Sequence, residues 1–163
     1  MTEMRRGNVV FWAAGDACCG VVGSAASATL QARAGIAERR DPHTRSRVAV
    51  VNVTRSVVLA VRVQLALSGR TRVLGLLGRT SLAEGEGLII RPCKGVHSFG
   101  MKFAIDVAYV SNAGVVVCVL APLAPGKAGP VLWEASWVVE LPEGVLARTG
   151  TVVGDRLQAF YYK

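Results

Sequence analysis

The 163-residue chain is poor in the residues that usually carry chemistry: two histidines, four cysteines and 6% aromatics. The cysteines build no framework. Cys18 and Cys19 are adjacent, Cys93 and Cys118 stand alone, and no C-x-x-C spacing occurs, which argues against a disulfide scaffold and against a cysteine-rich zinc site. Cys118, inside Val115-Val116-Val117-Cys118-Val119-Leu120, reads as a small buried hydrophobe, and such usage is compatible with a reducing compartment. There is no His-Glu-x-x-His and no Gly-x-Ser-x-Gly elbow, and Gly85-x-Gly87 lacks the strand–loop–helix context of a phosphate cradle. No apolar run reaches the ~20 residues of a spanning helix.

Charged residues make up only 18% of the chain against 52% apolar, which excludes a globally disordered protein and leaves enough material for one packed domain. Eighteen glycines and six prolines point to a turn-rich, β-dominated body. The net charge of +8 concentrates in the middle: between residues 55 and 102, Arg55, Arg62, Arg70, Arg72, Arg79, Arg91, Lys94 and Lys102 stand against Glu84 and Glu86 alone. A nucleic-acid interface is one reading of that segment. A solvated face is the favoured one, because no recognition motif accompanies the charges.

Residues 1–47 read as a poorly ordered extension ahead of a single domain at 48–163. Arg5-Arg6, an apolar run from Val9 to Val22 and Ala26-Ser27-Ala28 imitate a signal peptide. Asp16 interrupts that run, and a central aspartate costs about 2.5–3.5 kcal/mol on insertion. The expected location is therefore cytoplasmic, with export as the alternative if residues 1–28 act as a signal. Residues 31–47 are polar and basic, and His43 beside Pro42 reads as a solvated loop histidine.

From residue 48 the pattern is that of short strands. Residues 48–52 form a branched run. Residues 56–67 alternate, with Val57, Leu59, Val61, Val63, Leu65 and Leu67 on one face of a single strand. Residues 70–79 suit a short helix, and residues 88–90 a buried strand halted by Pro92. Ser111-Asn112-Ala113-Gly114 should turn a hairpin between residues 102–110 and 115–120. Residues 131–141 form a further strand, with Trp133 and Trp137 on one core-facing side. Residues 142–150 make a helical turn or two, and residues 155–162 a closing strand. The class is mainly β: a small β-sandwich or open barrel with one or two short helices.

The densest stretch is Pro92-Cys93-Lys94-Gly95-Val96-His97-Ser98-Phe99-Gly100-Met101-Lys102-Phe103-Ala104-Ile105-Asp106-Val107-Ala108-Tyr109-Val110. It resembles the "His-Ser/Thr-Phe-x-Met-Lys/Arg-Phe-x-Ile-Asp-Val" core of a bacterial and archaeal family, domain-of-unknown-function family 192. Leu74-Gly75-Leu76-Leu77-Gly78-Arg79, Gly87-Leu88-Ile89-Ile90 with Pro92-Cys93, Val139-Glu140-Leu141-Pro142 with Gly144, and Gly154-Asp155 extend the resemblance over about residues 48–157. One departure is Gly100, where many members carry an aromatic, so a pocket wall there would be more open. The resemblance implies a small, mostly β sandwich; no activity is assigned to the family, so no catalytic residue follows from it.

The candidate ligand-binding residues are Arg79, Cys93, His97, Ser98 and Asp106, polar groups set among apolar walls. Gly100 is where a bulge or break would fall. His97 and Asp106 are nine positions apart, about 30 Å on a straight strand, so His97 needs a partner from elsewhere: Arg79, Cys93, Glu140 or Asp155. Asp106, Glu140 and Asp155 read more readily as hydrogen-bonded structural acids, with Arg79 pairing to Asp106 or Glu140. Cys93 with His97 could form a nucleophile pair, and they supply two metal ligands where a zinc site wants three or four. No catalytic constellation is complete, and neither a metal nor a cofactor is expected. The expectation is a non-catalytic module for a small ligand or a protein partner. The alternatives are a cysteine/histidine enzyme at Cys93 and His97, and a nucleic-acid-binding domain using residues 55–102.

Overall fold

The computed structural model describes residues 47–162; the expected N-terminal extension, its signal-like segment and His43 lie outside the described residues. Among these described residues, eight strands form two sheets. The smaller has the order β2–β1–β8, all antiparallel, from β1 (Arg47–Asn52), β2 (Val57–Ala60) and β8 (Leu157–Tyr162). The larger has the order β3–β4–β7–β5–β6, from β3 (Arg62–Ala66), β4 (Glu86–Ile90), β5 (Ile105–Ser111), β6 (Val116–Leu123) and β7 (Ala135–Pro142). Among the described strands only β3 and β4 run parallel. Two short helices, α1 (Gly69–Leu74) and α2 (Val145–Thr149), complete the fold. The architecture is thus mainly β with two sheets and no closed barrel.

Because side chains alternate along a strand, the central strands serve two cores. Val139 and Leu141 of β7, Ala108 and Val110 of β5 and Ile89 of β4 pack inward against Val48, Val50, Leu59 and Leu157 of the smaller sheet. Val138 of β7, Val107 and Tyr109 of β5 and Leu88 and Ile90 of β4 point the other way, into a second core with Leu76, Leu82 and Val96. Strands covered on both faces read as continuous apolar runs, and residues 105–110 are all buried.

Three sequence expectations change. Residues 56–67 are two strands: the chain breaks at Val61 and passes from the smaller sheet (β2) to the larger (β3). The strand expected at 102–110 begins only at Ile105, after a turn at Gly100, whose φ of +78° favours glycine. Trp137 is buried but Trp133 precedes β7 and is 79% exposed, so the two tryptophans do not share a core face. The expected hairpin is present, with β5 pairing β6 across Ser111–Gly114 and Gly114 N–H donating to the Ser111 carbonyl at 3.0 Å.

Candidate functional site

The outer face of the larger sheet carries a buried carboxylate. Glu140 sits on β7, the middle strand, in register with Leu88 of β4 and Val107 of β5. Its neighbours Val139 and Leu141 face the inner core, so the pleat sends Glu140 outward, beneath the elements that cover this side. It is 4% exposed and its Oε2 atom has no hydrogen-bond partner. Burial alone pushes the carboxyl up from 4.5 to about 7, since an ionised group there loses its water and gains no donor.

Above Glu140 lies a cleft of about 420 Å³ between α1 and residues 92–101. Helix α1 begins where Ser68 and Thr71 cap each other's backbone N–H groups (3.3 and 3.0 Å). It buries none of its residues: Val73 and Leu74 are 71% and 61% exposed and line the cleft. Leu76, Ile90, Val96 and Met101 extend the apolar wall. Arg72 joins the two sides, its guanidinium donating to the Pro92 carbonyl at 3.2 Å.

The facing segment is stitched to residues 127–136 by main-chain bonds. Ser98 N–H donates to Lys127 O, Gly129 N–H to Val96 O, Leu132 N–H to Lys94 O and Cys93 N–H to Ser136 O, at 2.7 to 3.1 Å. Ser98 rivets this arrangement: its hydroxyl donates to the Ala124 carbonyl at 2.6 Å and accepts from Lys127 N–H at 3.0 Å. Lys94 Nζ lies 4.3 Å from the Trp133 ring centroid, a cation–π contact beside the mouth.

Of the five candidate residues, the fold brings Cys93 and His97 to this cleft and leaves Arg79, Ser98 and Asp106 out of its lining. His97 is exposed, stacked on Phe99 with ring centroids 5.2 Å apart, and bridged through its main chain to Ala128. The Cys93 thiol donates to the Gly95 carbonyl at 3.1 Å, and burial pushes its pKa up. Arg79 pairs with Glu86 at 3.5 Å, in place of the expected Asp106 or Glu140. Asp106 lies on the opposite face, 1% exposed, where Oδ2 accepts the Leu146 N–H at 2.8 Å and so holds the start of α2; Oδ1 has no partner. Asp155 is held elsewhere, its Oδ2 accepting from Asn52, Arg55 and Val152. Among the described residues no three His, Cys, Asp or Glu side chains gather to hold a metal ion.

Residues 49–159 match the family described as uncharacterised ACR, domain-of-unknown-function family 192. The chain belongs to this family. A curated relative, the UPF0127 protein of Pyrococcus furiosus, is 31% identical over 112 residues, covering 67% of this chain and 96% of the relative. Two solved structures share the fold. One, from Novosphingobium aromaticivorans and of unknown function, has a TM-score of 0.59 at 23% identity over 85% of this chain and 99% of that one. The other, from Sinorhizobium meliloti and named a candidate transcription regulator, has a TM-score of 0.58 at 20% identity over 70% and 92%. In this member of family 192, four of the stretches that carry the resemblance contribute to one cleft: Leu74 to Leu77, Pro92 with Cys93, His97 with Met101, and Glu140. Among the described residues no helix is long and apolar enough to cross a membrane.

Glu140 is the residue that sequence reasoning placed among structural acids. The signal was there: an acid within Trp137-Val138-Val139-Glu140-Leu141, a run apolar at every other position. Such a run marks burial on both faces, and an acid inside it must find a partner, neutralise or serve a ligand.

Proposed function

We propose that this protein is a non-catalytic module that binds a small ligand in the cleft between α1 and residues 92–101. One observation carries the reading: Glu140, buried and with Oε2 unpartnered, lines a cleft together with apolar Leu74, Leu76 and Val96 and with Arg72, Lys94 and His97. A few polar groups converging among apolar walls is what a small-molecule site requires. The exposed Val73, Leu74 and Leu77 at the mouth suit an amphipathic ligand, since apolar side chains left in water favour burial beneath a bound molecule.

The rival chemistry has less support. A nucleophilic cysteine wants a lowered pKa and an adjacent base, whereas the Cys93 thiol is pushed up and bonded to a main-chain carbonyl. The nucleic-acid reading weakens because Arg55, Arg62 and Arg79 within the basic segment are held by Asp155 and Glu86. The regulator named among the structural neighbours shares only the fold at 20% identity.

The test is a thermal-shift screen of amphipathic metabolites on the full chain and on Val73→Trp, which plugs the cleft from an exposed position. A ligand at 100 times its dissociation constant stabilises by about 2.7 kcal/mol, a shift of several degrees. Hits that vanish in Val73→Trp support the cleft; hits that persist place binding elsewhere and sink the reading.

A further inference from the structure

The cleft also says what kind of ligand fits, on the reading that it binds a small molecule at all. Its polar lining is lopsided. Arg72 stands on α1, Lys94 and His97 on the facing segment, and Glu140 is the sole acid among the described lining residues. The other titratable groups packed toward Glu140 are Cys93 on the facing segment and Tyr109 on β5; β4 contributes apolar Leu88 and Ile90. Tyr109 has its own acceptor, donating to the Pro130 carbonyl at 3.1 Å, and Cys93 donates to Gly95, so neither serves Glu140. A neutral carboxyl is a hydrogen-bond donor, and burial favours that form here. The protein thus holds a carboxyl with an unpartnered oxygen in the wall of a cleft that Arg72 and Lys94 line beside apolar groups.

We propose that the ligand is a small carboxylic acid with an apolar body, whose carboxylate accepts a hydrogen bond from protonated Glu140 and faces Arg72 and Lys94. A carboxylic acid kept neutral so that it can donate to a developing or resident anion is a known use of burial. Charge-assisted bonds from Arg72, which spends one N–H on Pro92, and from Lys94 supply the counter-charge. The apolar body lies along Val73, Leu74 and Val96. An ammonium ligand would instead meet two like charges at the rim and would require the ionised form of Glu140 that burial disfavours.

The experiment is calorimetric titration of the full chain with octanoate, and in parallel with octylamine and octanol, at about pH 6 and about pH 8. Octanoate affinity in the wild type should fall about tenfold between those values, because only the protonated fraction is competent. Glu140→Gln keeps a donor that does not titrate, so it should bind octanoate at both pH values with no slope. Arg72→Ala with Lys94→Ala should weaken binding about tenfold at both pH values and leave the slope in place. His97→Ala should also leave it; a slope that disappears with His97 would overturn the role given to Glu140. Octylamine binding while octanoate does not, or octanoate binding without pH dependence in the wild type, overturns the inference and leaves the cleft as a small-ligand site. Failure of the acid, the amine and the alcohol alike overturns both.

Discussion

Asp155 and Glu140 are both buried carboxylates in one small fold, and their surroundings treat them in opposite ways. Asp155 Oδ2 accepts from the Arg55 guanidinium, from Asn52 Nδ2 at 2.9 Å and from Val152 N–H at 3.0 Å. Asn52 in turn donates to Thr151 Oγ1 at 3.0 Å and accepts from Arg55 N–H at 3.1 Å, so the cluster ties β1 to the turn before β8. The Arg55 hydrogen bond, helped by those from Asn52 and Val152, holds the Asp155 carboxyl down at about 2. Glu140, by contrast, is buried with an unpartnered oxygen and stands at about 7. A buried polar group surrounded by donors serves the fold; one left unsatisfied weakens it, as Asp106 Oδ1 also does, and Glu140 differs from Asp106 in lining a cleft where a ligand could reach it.

The largest effect should come from breaking the satisfied side. Asp155→Ala removes the acceptor shared by Asn52, Arg55 and Val152 and leaves the fully buried Asn52 amide short of a partner, so the melting temperature should drop by roughly 10 °C. Asp155→Asn sharpens the point through pH. A carboxyl with a depressed folded pKa stabilises above its unfolded value and loses that stabilisation as pH falls toward the folded one. The wild type should therefore weaken between about pH 4 and about pH 2 by a step that Asp155→Asn lacks. Urea midpoints across that range check it; an unchanged acid limb would show that the cluster does not govern acid stability.

Glu140 should give the reverse slope in a different window. Its folded pKa lies above the unfolded one, so the native state binds more protons between 4.5 and about 7 and stability falls as pH rises through that interval, then levels off. The shift corresponds to on the order of 3 kcal/mol. Glu140→Gln should remove this decline, so its advantage over the wild type should be larger at about pH 8 than at about pH 5 by a comparable amount. Parallel stability curves for the two proteins across neutrality would mean that Glu140 finds a partner and is no different in kind from Asp155.

How far the sequence could reveal this contrast depends on which forces are local. The apolar run at residues 105–110 correctly signals a strand buried on both faces. Alternation at residues 56–67 misleads for a physical reason: Leu59 of β2 and Val63 of β3 enter the same inner core, with Val57 and Leu65 packed against it, so the period of two continues while the chain changes sheets at Val61. The polar residues are harder. Ser98 and Asp106 look alike in sequence, polar within apolar stretches, and both prove to be tied to distant main chain, at Lys127 and Leu146. Nothing within a few residues of Glu140 says that no such donor reaches it. That depends on α1 and residues 92–101 closing over β7 from far along the chain, and only tertiary packing reports it.

The smallest expected effect lies at the cleft mouth, and it separates parts that hold the fold from parts that stand ready for a ligand. Trp133 is 79% exposed and touches Lys94 through its ring face, whereas Trp137, four residues on, is 7% exposed in the inner core. Truncating a buried tryptophan costs about 3–5 kcal/mol through lost contacts and a cavity. Trp133 offers little of either, and an exposed cation–π contact contributes about 0.5–1 kcal/mol. Trp133→Ala should therefore move the urea midpoint by less than about 1 kcal/mol equivalent, while Trp137→Ala costs several times more. Such an outcome would put Trp133 with Val73 and Leu74, large apolar groups that the fold does not need for its stability. Equal losses from the two substitutions would mean that the rim is part of the structural core, and the contrast between a satisfied scaffold and an unsatisfied cleft would then rest on Glu140 alone.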